Sequence, residues 1–420
     1  MKDILILLIL INSAMTCIAQ DIDFKKRHTF AKSYIGFDFN FFPNLQNSNF
    51  INEQNQIQNL QRNNFFSPSI NIGGTHFWGH ADFFVSLATS PLKTQRDEIE
   101  NSIGFRAITG MRIFPIALKD NALRPYLSYK FAPIRLNQSN IIDEKYRKTQ
   151  VKSIIGGGVA YQTAKIYAYA GYEFIPNNDA TIHISRTQTT SSSYPNGFLS
   201  FGINYLFEST YGSYTPTKFI LDSLLHSKNT LGLFFGIGPS ASFPIQSSNY
   251  ITELYPFLDD KSMPNTFPEI TLGYHFSRYD FIVSANFRPI RQERNAFSFY
   301  QDIRRKSYGL EAYKFLFDYH GFAPFVGAGF LIENIKLTET DNGINITNRR
   351  YSLTTPSIIF GWDIRPSRRA DIWLLRTNLR YLPTLEIENN NKNLSLQHLE
   401  FNFIQWVVYP QRIKKYKALQ

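Results

Sequence analysis

The sequence predicts an all-β fold, a transmembrane antiparallel β-barrel with about 16 strands arranged as two eight-stranded repeats. Three observations predict it. Apolar and polar residues alternate along many segments, the gaps between these segments alternate in length, and the two halves of the chain repeat the same order. The composition agrees, because 38 Phe and 24 Tyr are residues favoured in strands and at membrane interfaces.

The first 19 residues are expected to be a secretory signal peptide. Lys2 precedes an apolar run at 4–11, and the small-residue site Cys17-Ile18-Ala19 precedes Gln20. Lipid attachment at Cys17 is an alternative, but the residues before it suit cleavage after Ala19 better. The mature chain then has no cysteine, which excludes disulfides and thiol chemistry. No stretch reaches the roughly 18 apolar residues of a membrane-spanning helix.

Strict alternation marks the predicted strands. In the first one Ile35, Phe37 and Phe39 alternate with Gly36 and Asp38, as in a strand with one face in an apolar medium and one in a polar medium. The predicted strands lie at 31–42, 66–73, 78–88, 103–114, 124–135, 150–162, 165–175, 197–207, 230–242, 266–276, 278–288, 306–317, 322–334, 351–363, 371–382 and 398–409.

The gaps between these strands are typical of a bacterial outer-membrane barrel, which has short periplasmic turns and longer extracellular loops. The short gaps include 74–77, 163–164 and 318–321. The long gaps are polar and lie at 43–65, 89–102, 176–196, 243–265 and 383–397. An even number of strands leaves both chain ends on the periplasmic side.

An internal repeat relates residues 31–207 to residues 230–409. Arg124–Phe131 stands at the fifth strand of the first half, and Phe322–Phe330 stands at the fifth strand of the second. The predicted organisation is a signal peptide at 1–19, a first repeat at 20–207, a periplasmic linker at 208–229, a second repeat at 230–410 and a basic C-terminal tail at 411–420.

A short motif carries a resemblance to a known family. The pattern Pro-aromatic-Leu/Val-x-x-x-Phe, at Pro125–Phe131 and Pro324–Phe330, resembles the fifth strand of the small eight-stranded, OmpA/OmpX-like outer-membrane barrels common in Bacteroidetes. The resemblance implies a Gram-negative outer-membrane location, contact with outer-membrane lipid and lipopolysaccharide, and handling by the barrel-assembly machinery. An assembly signal is matched by Ser200, Gly202, Tyr205 and Phe207. The last strand departs from that signal, with Ile404 in place of the glycine.

Charged residues on the predicted inner faces are balanced in sign. A buried charge costs several kcal/mol unless it is paired, so we expect a paired network inside a narrow lumen. The candidates in the first half are Asp38, Asp82, Arg106, Arg112, Lys130 and Glu173. Those in the second half are Glu269, Asp280, Asp363, Glu400, Arg288, Arg376 and Arg380.

Two tandem barrels are slightly favoured over one barrel of sixteen strands. Small residues such as Gly158 and Gly171 beside large ones such as Tyr126 and Tyr169 suit a narrow, filled interior. The single larger barrel, which would leave a water-filled channel, stays open as the alternative. Pairing of the first strand with the eighth would indicate two barrels, whereas pairing of the first strand with the sixteenth would indicate one.

No catalytic residue, metal site or cofactor is predicted. His80 and Asp82 are expected to share a lumen face, but no serine nucleophile accompanies them, so a hydrogen-bonded pair is favoured over a hydrolase. His275 and Asp280 lack further metal ligands. The net charge of +11 favours lipid or polysaccharide phosphates over nucleic acid for an exported chain, beside the plainer interpretation of a solvated surface.

The predicted function is that of an integral outer-membrane β-barrel protein. It is expected to be non-enzymatic and to have a structural or surface-binding role through long extracellular loops. A porin or passive transporter for small solutes is the first alternative, and an outer-membrane hydrolase is the second. The ligand, any extracellular or periplasmic partner and the oligomeric state stay open.

Overall fold

The computed structural model of the protein describes residues 31–43, 48–51, 57–60, 64–89, 92–96, 99–105, 107–139, 145–183, 185–207, 232–258, 265–277, 279–319, 322–364 and 372–419. The predicted signal peptide, the predicted linker at 208–229 and the lumen candidate Arg106 lie outside the described residues.

Strands make up most of the described chain. In chain order they are β1 (Lys32–Phe42), β2 (Ser48–Ile51), β3 (Ile57–Leu60), β4 (Phe65–His76), β5 (Ala81–Ala88), β6 (Leu92–Arg96), β7 (Ile99–Phe105), β8 (Ala107–Ile113), β9 (Ala122–Ser139), β10 (Lys145–Gln162), β11 (Ile166–Phe174), β12 (Asp179–His183), β13 (Thr189–Ser193), β14 (Gly197–Phe207), β15 (Leu233–Pro244), β16 (Asn265–Phe276), β17 (Phe281–Ala296), β18 (Phe299–Phe315), β19 (Phe322–Asp341), β20 (Ile344–Ile364), β21 (Trp373–Leu382), β22 (Glu386–Asn389), β23 (Lys392–Ser395) and β24 (His398–Val408).

Eight strands of the first half close into an antiparallel barrel. The order around it is β1-β4-β5-β8-β9-β10-β11-β14, and β14 pairs back to β1, with Asp38 opposite Gly202. The first predicted strand therefore pairs with the eighth, the arrangement that distinguishes two barrels from one.

Eight strands of the second half close in the same way. The order is β15-β16-β17-β18-β19-β20-β21-β24, and β24 pairs back to β15, with Trp406 opposite Ile237. The prediction of an all-β fold built as an antiparallel barrel is confirmed. A closed sheet satisfies its edges internally, which a strand in hydrocarbon requires.

The polarity of both barrels is apolar outside and polar inside. On β1, Ile35 and Phe37 are exposed on the outer face, while Asp38 and Asn40 are buried in the lumen. On β18 and β19, Leu310 is 62% and Phe330 is 66% exposed at paired positions. Such an apolar skin around a polar interior is the arrangement of a barrel in a bilayer.

The predicted long loops contain secondary structure of their own. Hairpins β2–β3, β6–β7, β12–β13 and β22–β23 lie within them, and β7 adds to β9 beyond the barrel. The loop after β15 contains the short helix α1 (Asn249–Leu254). These hairpins are additional to the sixteen predicted strands, because their strands are too short for alternation to reveal them.

The two barrels contact each other at the loop-bearing end. Tyr146 on β10 pairs with Ala296 on β17 and stacks on Phe297, with ring centroids 5.6 Å apart. Arg186, between β12 and β13, donates to the Phe297 carbonyl at 2.6 Å and to the Asp341 carboxylate at 2.9 Å. The first barrel is therefore tied to two hairpin tips of the second.

The opposite end of the barrels carries the short turns. A single 3₁₀ turn (Phe77–Gly79) precedes β5, where the sequence predicted strand from residue 78. Its aromatic residues contact the second barrel, Phe77 with Phe322 at 5.1 Å and Trp78 with Tyr319 at 5.5 Å between ring centroids.

Helices are few in the described part of the chain. The predicted basic tail forms the helix α2 (Pro410–Leu419), which follows β24. Among the residues described, none of the helices has the length and apolar character that crossing a membrane would need.

Candidate functional site in the barrel lumens

An ion pair between Asp82 and Arg112 occupies the first lumen, and neither side chain is exposed to solvent. The two residues are opposite each other on β5 and β8, and Arg112 Nη1 lies 2.6 Å from Asp82 Oδ2. The hydroxyls of Tyr34 and Tyr167 donate to the same carboxylate at 2.6 and 2.9 Å. Three donors thus offset the cost of burying this charge.

Aromatic rings complete the surroundings of Arg112. Its guanidinium lies 4.0 Å from the ring centroid of Phe84 and 3.5 Å from that of Tyr169, close enough for cation–π contacts. Gly202 makes room for the second ring, because a Cβ atom there would stand 2.1 Å from Tyr169. The lumen is filled by side chains at this level.

Lys130 and Glu173 form a second buried pair in the first barrel. Lys130 Nζ lies 2.6 Å from Glu173 Oε1, and Ser128 donates to Glu173 Oε2 at 2.8 Å. Asp38 is buried as well and accepts a hydrogen bond from Ser86. Among the predicted candidates, the structure brings together Asp82 with Arg112 and Lys130 with Glu173, whereas Asp38 pairs with a hydroxyl.

Arg380 is the centre of a larger network in the second lumen. It donates to Glu311 at 2.6 and 3.0 Å, to Glu400 at 3.0 Å and to Glu269 at 3.1 Å. Glu400 also accepts from Arg288, and its other oxygen lies 2.7 Å from His398 Nε2. The side chains of β16, β17, β18, β21 and β24 are therefore connected across the lumen.

Two further pairs lie nearby. Arg376 donates two hydrogen bonds to the Asp363 carboxylate, from Nε at 2.7 Å and from Nη2 at 2.8 Å. Arg305 pairs with Glu333 at 3.2 Å, and neither side chain is exposed. Sequence reasoning missed Arg305, Glu333 and Glu311. The signal was present for Glu311 and Glu333, since both lie at inward-facing positions of the predicted strands at 306–317 and 322–334, whereas Arg305 lies just before the first of these strands.

Asp280, a lumen candidate, is not in the lumen. It is exposed in the turn before β17, with a φ of 48°. The predicted strand began at residue 278, three residues before β17, which begins at Phe281. The expectation that Asp280 pairs inside the second barrel is therefore wrong.

A cap of apolar side chains covers the loop-bearing end of the second barrel. Tyr250 and Ile251 of α1 are fully buried, and Tyr250 donates to Glu339 at 2.7 Å and accepts from Asn389 at 2.8 Å. Burial raises the pKa of the Tyr250 phenol, which keeps it protonated. The other buried apolar members include Phe257, Leu258, Leu385, Ile387, Leu394, Leu396, Phe299 and Leu337.

His80 does not join Asp82, although the sequence placed both on one lumen face. His80 is exposed in the turn before β5, and its Nδ1 lies 3.0 Å from the Phe114 carbonyl oxygen. The hypothetical hydrolase pair is therefore not assembled. In the part of the chain that the structure describes, no cluster of three or more His, Cys, Asp or Glu side chains could hold a metal ion.

The residues of the predicted assembly signal lie on β14, on both of its faces. Ser200 and Gly202 face the lumen, whereas Tyr205 and Phe207 are 53% and 45% exposed on the outer face.

The basic tail contacts the second barrel through Arg412. Arg412 is buried over the ring of Tyr409, with its guanidinium 3.8 Å from the ring centroid.

Comparisons with known proteins give structural likenesses only. Neisserial surface protein A (NspA) is 14% identical, with a TM-score of 0.32, covering 42% of this chain and 96% of its own. Ail of Yersinia pestis, in complex with the heparin analogue sucrose octasulfate, is 12% identical, with a TM-score of 0.29, covering 43% and 97%. An outer membrane channel from Pseudomonas putida F1 is 8% identical, with a TM-score of 0.23, covering 90% and 95%.

At these TM-scores the likenesses carry no argument, and the fold described above rests on the strand pairing. No protein-family model matches the sequence. Curated proteins give no match to it either.

Proposed function

We propose that the chain is an integral outer-membrane protein without a solute pathway through either barrel. It acts non-enzymatically, as a structural or surface-binding protein, through the part that projects from the membrane. The observation that carries this proposal is the pairing of buried charges across both lumens, centred on Arg112 and Arg380. Charges that pair with one another within a packed interior do not line an open pore.

The membrane location is supported by the outer surface. Exposed Ile70, Ile72, Phe201 and Ile203 lie on the neighbours of β1, where a water-soluble barrel would carry polar groups. Each barrel closes on itself, so the backbone groups of its strands are satisfied without water.

The surface-binding role is supported by the length of four strands. β17, β18, β19 and β20 contain 16, 17, 20 and 21 residues. Crossing the hydrocarbon needs about 9–11 residues per strand. The remainder extends past the membrane as two hairpins beside the cap.

The test is ion conductance of the full chain in planar lipid bilayers. We expect no stable channel from preparations whose folded state is checked by protease resistance. Solute entry in liposome-swelling assays with the same preparations should equal that of protein-free liposomes. Stable large conductance, together with solute entry, would overturn the proposal and favour the porin alternative.

A further inference from the structure

Four cations stand side by side on the outer face of the second barrel. Arg291 on β17 is opposite Arg304 on β18, Arg304 is opposite Lys336 on β19, and Lys336 is opposite Arg350 on β20. We call these four residues the cation row. Like charges directly opposite each other destabilise a sheet, and a bound anion would offset the repulsion within this uninterrupted row.

The charge of the row is only partly compensated within the chain. Asp302 lies 3.0 Å from Arg291 and 2.7 Å from Arg304, and Glu293 lies 2.8 Å from Arg291. In the described part of the protein, Lys336 and Arg350 form no ion pair. The half of the row on β19 and β20 is therefore positive, and Arg350 is exposed there.

The row lies at a defined height above the apolar skin. On β17, β18 and β19 the last apolar row is formed by Phe287, Tyr308 and Ile332, four residues before Arg291, Arg304 and Lys336 along each strand, counted outwards from the membrane. At about 3.3 Å per residue and a tilt of roughly 40°, the separation along the membrane normal is about 10 Å.

Lys306 stands between the two rows. It is exposed on β18, opposite Pro289 and Asn334. A cation at this depth reaches the boundary between acyl chains and headgroups, because long basic side chains extend toward the polar region.

We propose that the cation row binds the phosphate groups of outer-leaflet lipid, with lipopolysaccharide as the ligand class. The ligand must therefore carry several negative charges, lie at the height of the row above the membrane, and have an apolar part that contacts the apolar surface. A phosphorylated lipid meets all three conditions, because its acyl chains lie against Tyr308 and Ile332 while its phosphates reach the row. This inference rests on the membrane location proposed above.

The test measures binding of fluorescent lipopolysaccharide to the full chain in detergent micelles, with dephosphorylated lipopolysaccharide as the second probe. The row variant is Arg304→Gln, Lys336→Gln, Arg350→Gln. A surface cation contributes about fivefold in affinity, so three removed charges should weaken binding about a hundredfold. The dephosphorylated probe should bind the wild type as weakly as the phosphorylated probe binds the row variant.

The matched control removes three cations at the opposite end of the barrels, the exposed Lys119 and Lys165 and the half-buried Lys314, as Lys119→Gln, Lys165→Gln, Lys314→Gln. Its affinity should equal that of the wild type. Equal affinity of the row variant and the wild type would overturn the inference. Displacement of the probe by millimolar inorganic phosphate would also overturn it, since the row would then select free phosphate instead of lipid.

Insertion into lipid vesicles separates this inference from the proposal beneath it. If the wild type fails to insert, the membrane location itself is refuted. If it inserts but binds both probes equally, only the lipid site is refuted. Should the row variant not insert, the single substitution Lys336→Gln provides the same test, with about fivefold weaker binding expected.

Discussion

Replacing Arg380 with methionine removes the cation that holds the second lumen together. Arg380 is 1% exposed and is shared by three carboxylates, with Glu311 held through two hydrogen bonds. Methionine is shorter, unbranched and uncharged, so Glu311 stays buried without its cation. Removing one partner of a buried pair costs about 3–5 kcal/mol, and we expect a loss of folding free energy in that range.

A second substitution tests whether the cost comes from the unpaired charge. Adding Glu311→Gln to Arg380→Met removes that charge, and the pair should recover about 1–3 kcal/mol relative to the sum of the single variants. The control is Arg304→Met on β18, whose side chain is 60% exposed and pairs with Asp302 on the outer face. Exposed pairs contribute about 0–1 kcal/mol, so its effect should be small.

Urea unfolding of the full chain in detergent micelles measures these differences, with tryptophan fluorescence as the signal. With a slope of about 1–3 kcal/mol per molar urea, a loss of 3 kcal/mol shifts the midpoint by about 1 M or more. If Arg380→Met unfolds at the same midpoint as Arg304→Met, the lumen is not a packed, paired network. The second lumen would then not be closed by paired, buried charges.

Three other predictions follow from single contacts. Hydrogen bonds from Arg186 hold the pKa of Asp341 below its ordinary value, so the Arg186–Asp341 ion pair should persist above pH 4 and be lost as the pH falls through the lowered pKa; the distance between spin labels on the β12–β13 hairpin and on the tip of the β19–β20 hairpin measures this. Gly202→Ala should cost about 1–3 kcal/mol by displacing a ring, whereas Gly157→Ala, whose nearest neighbour would lie at 3.2 Å, should cost less, as urea unfolding measures. Tyr250→Phe should lower stability by about 1–3 kcal/mol and expose the cap to protease.

The barrel strands could be predicted from the sequence because alternation is a local property. Side chains alternate between the two faces of a strand, and this alternation predicts that Asp82, Arg112, Lys130 and Glu173 face inwards. It needs no knowledge of which strands are neighbours. The same rule, applied to the predicted strand at 306–317, would have identified Glu311.

The partners of these residues could not be predicted in the same way. Arg380 meets Glu311, 69 positions away, only because β18 and β21 lie across one closed lumen. The register and the closure decide such contacts, and both are properties of the whole barrel. The ends of strands are equally hard to predict from the sequence. For this reason Asp280 and His80 were predicted to lie in lumens, although both are in turns.

The number of strands per barrel decides what the inward charges do. In an eight-stranded barrel the interior is just wide enough for side chains, so Arg380 reaches carboxylates on three other strands. In a sixteen-stranded barrel the same parity would place these charges around water, and they would select ions instead of joining strands. Pairing of β1 with β14 therefore has a functional consequence, since it turns a set of charges suited to a channel lining into a packed core. The proposed binding then takes place at the outer face and the projecting hairpins, where the cation row lies.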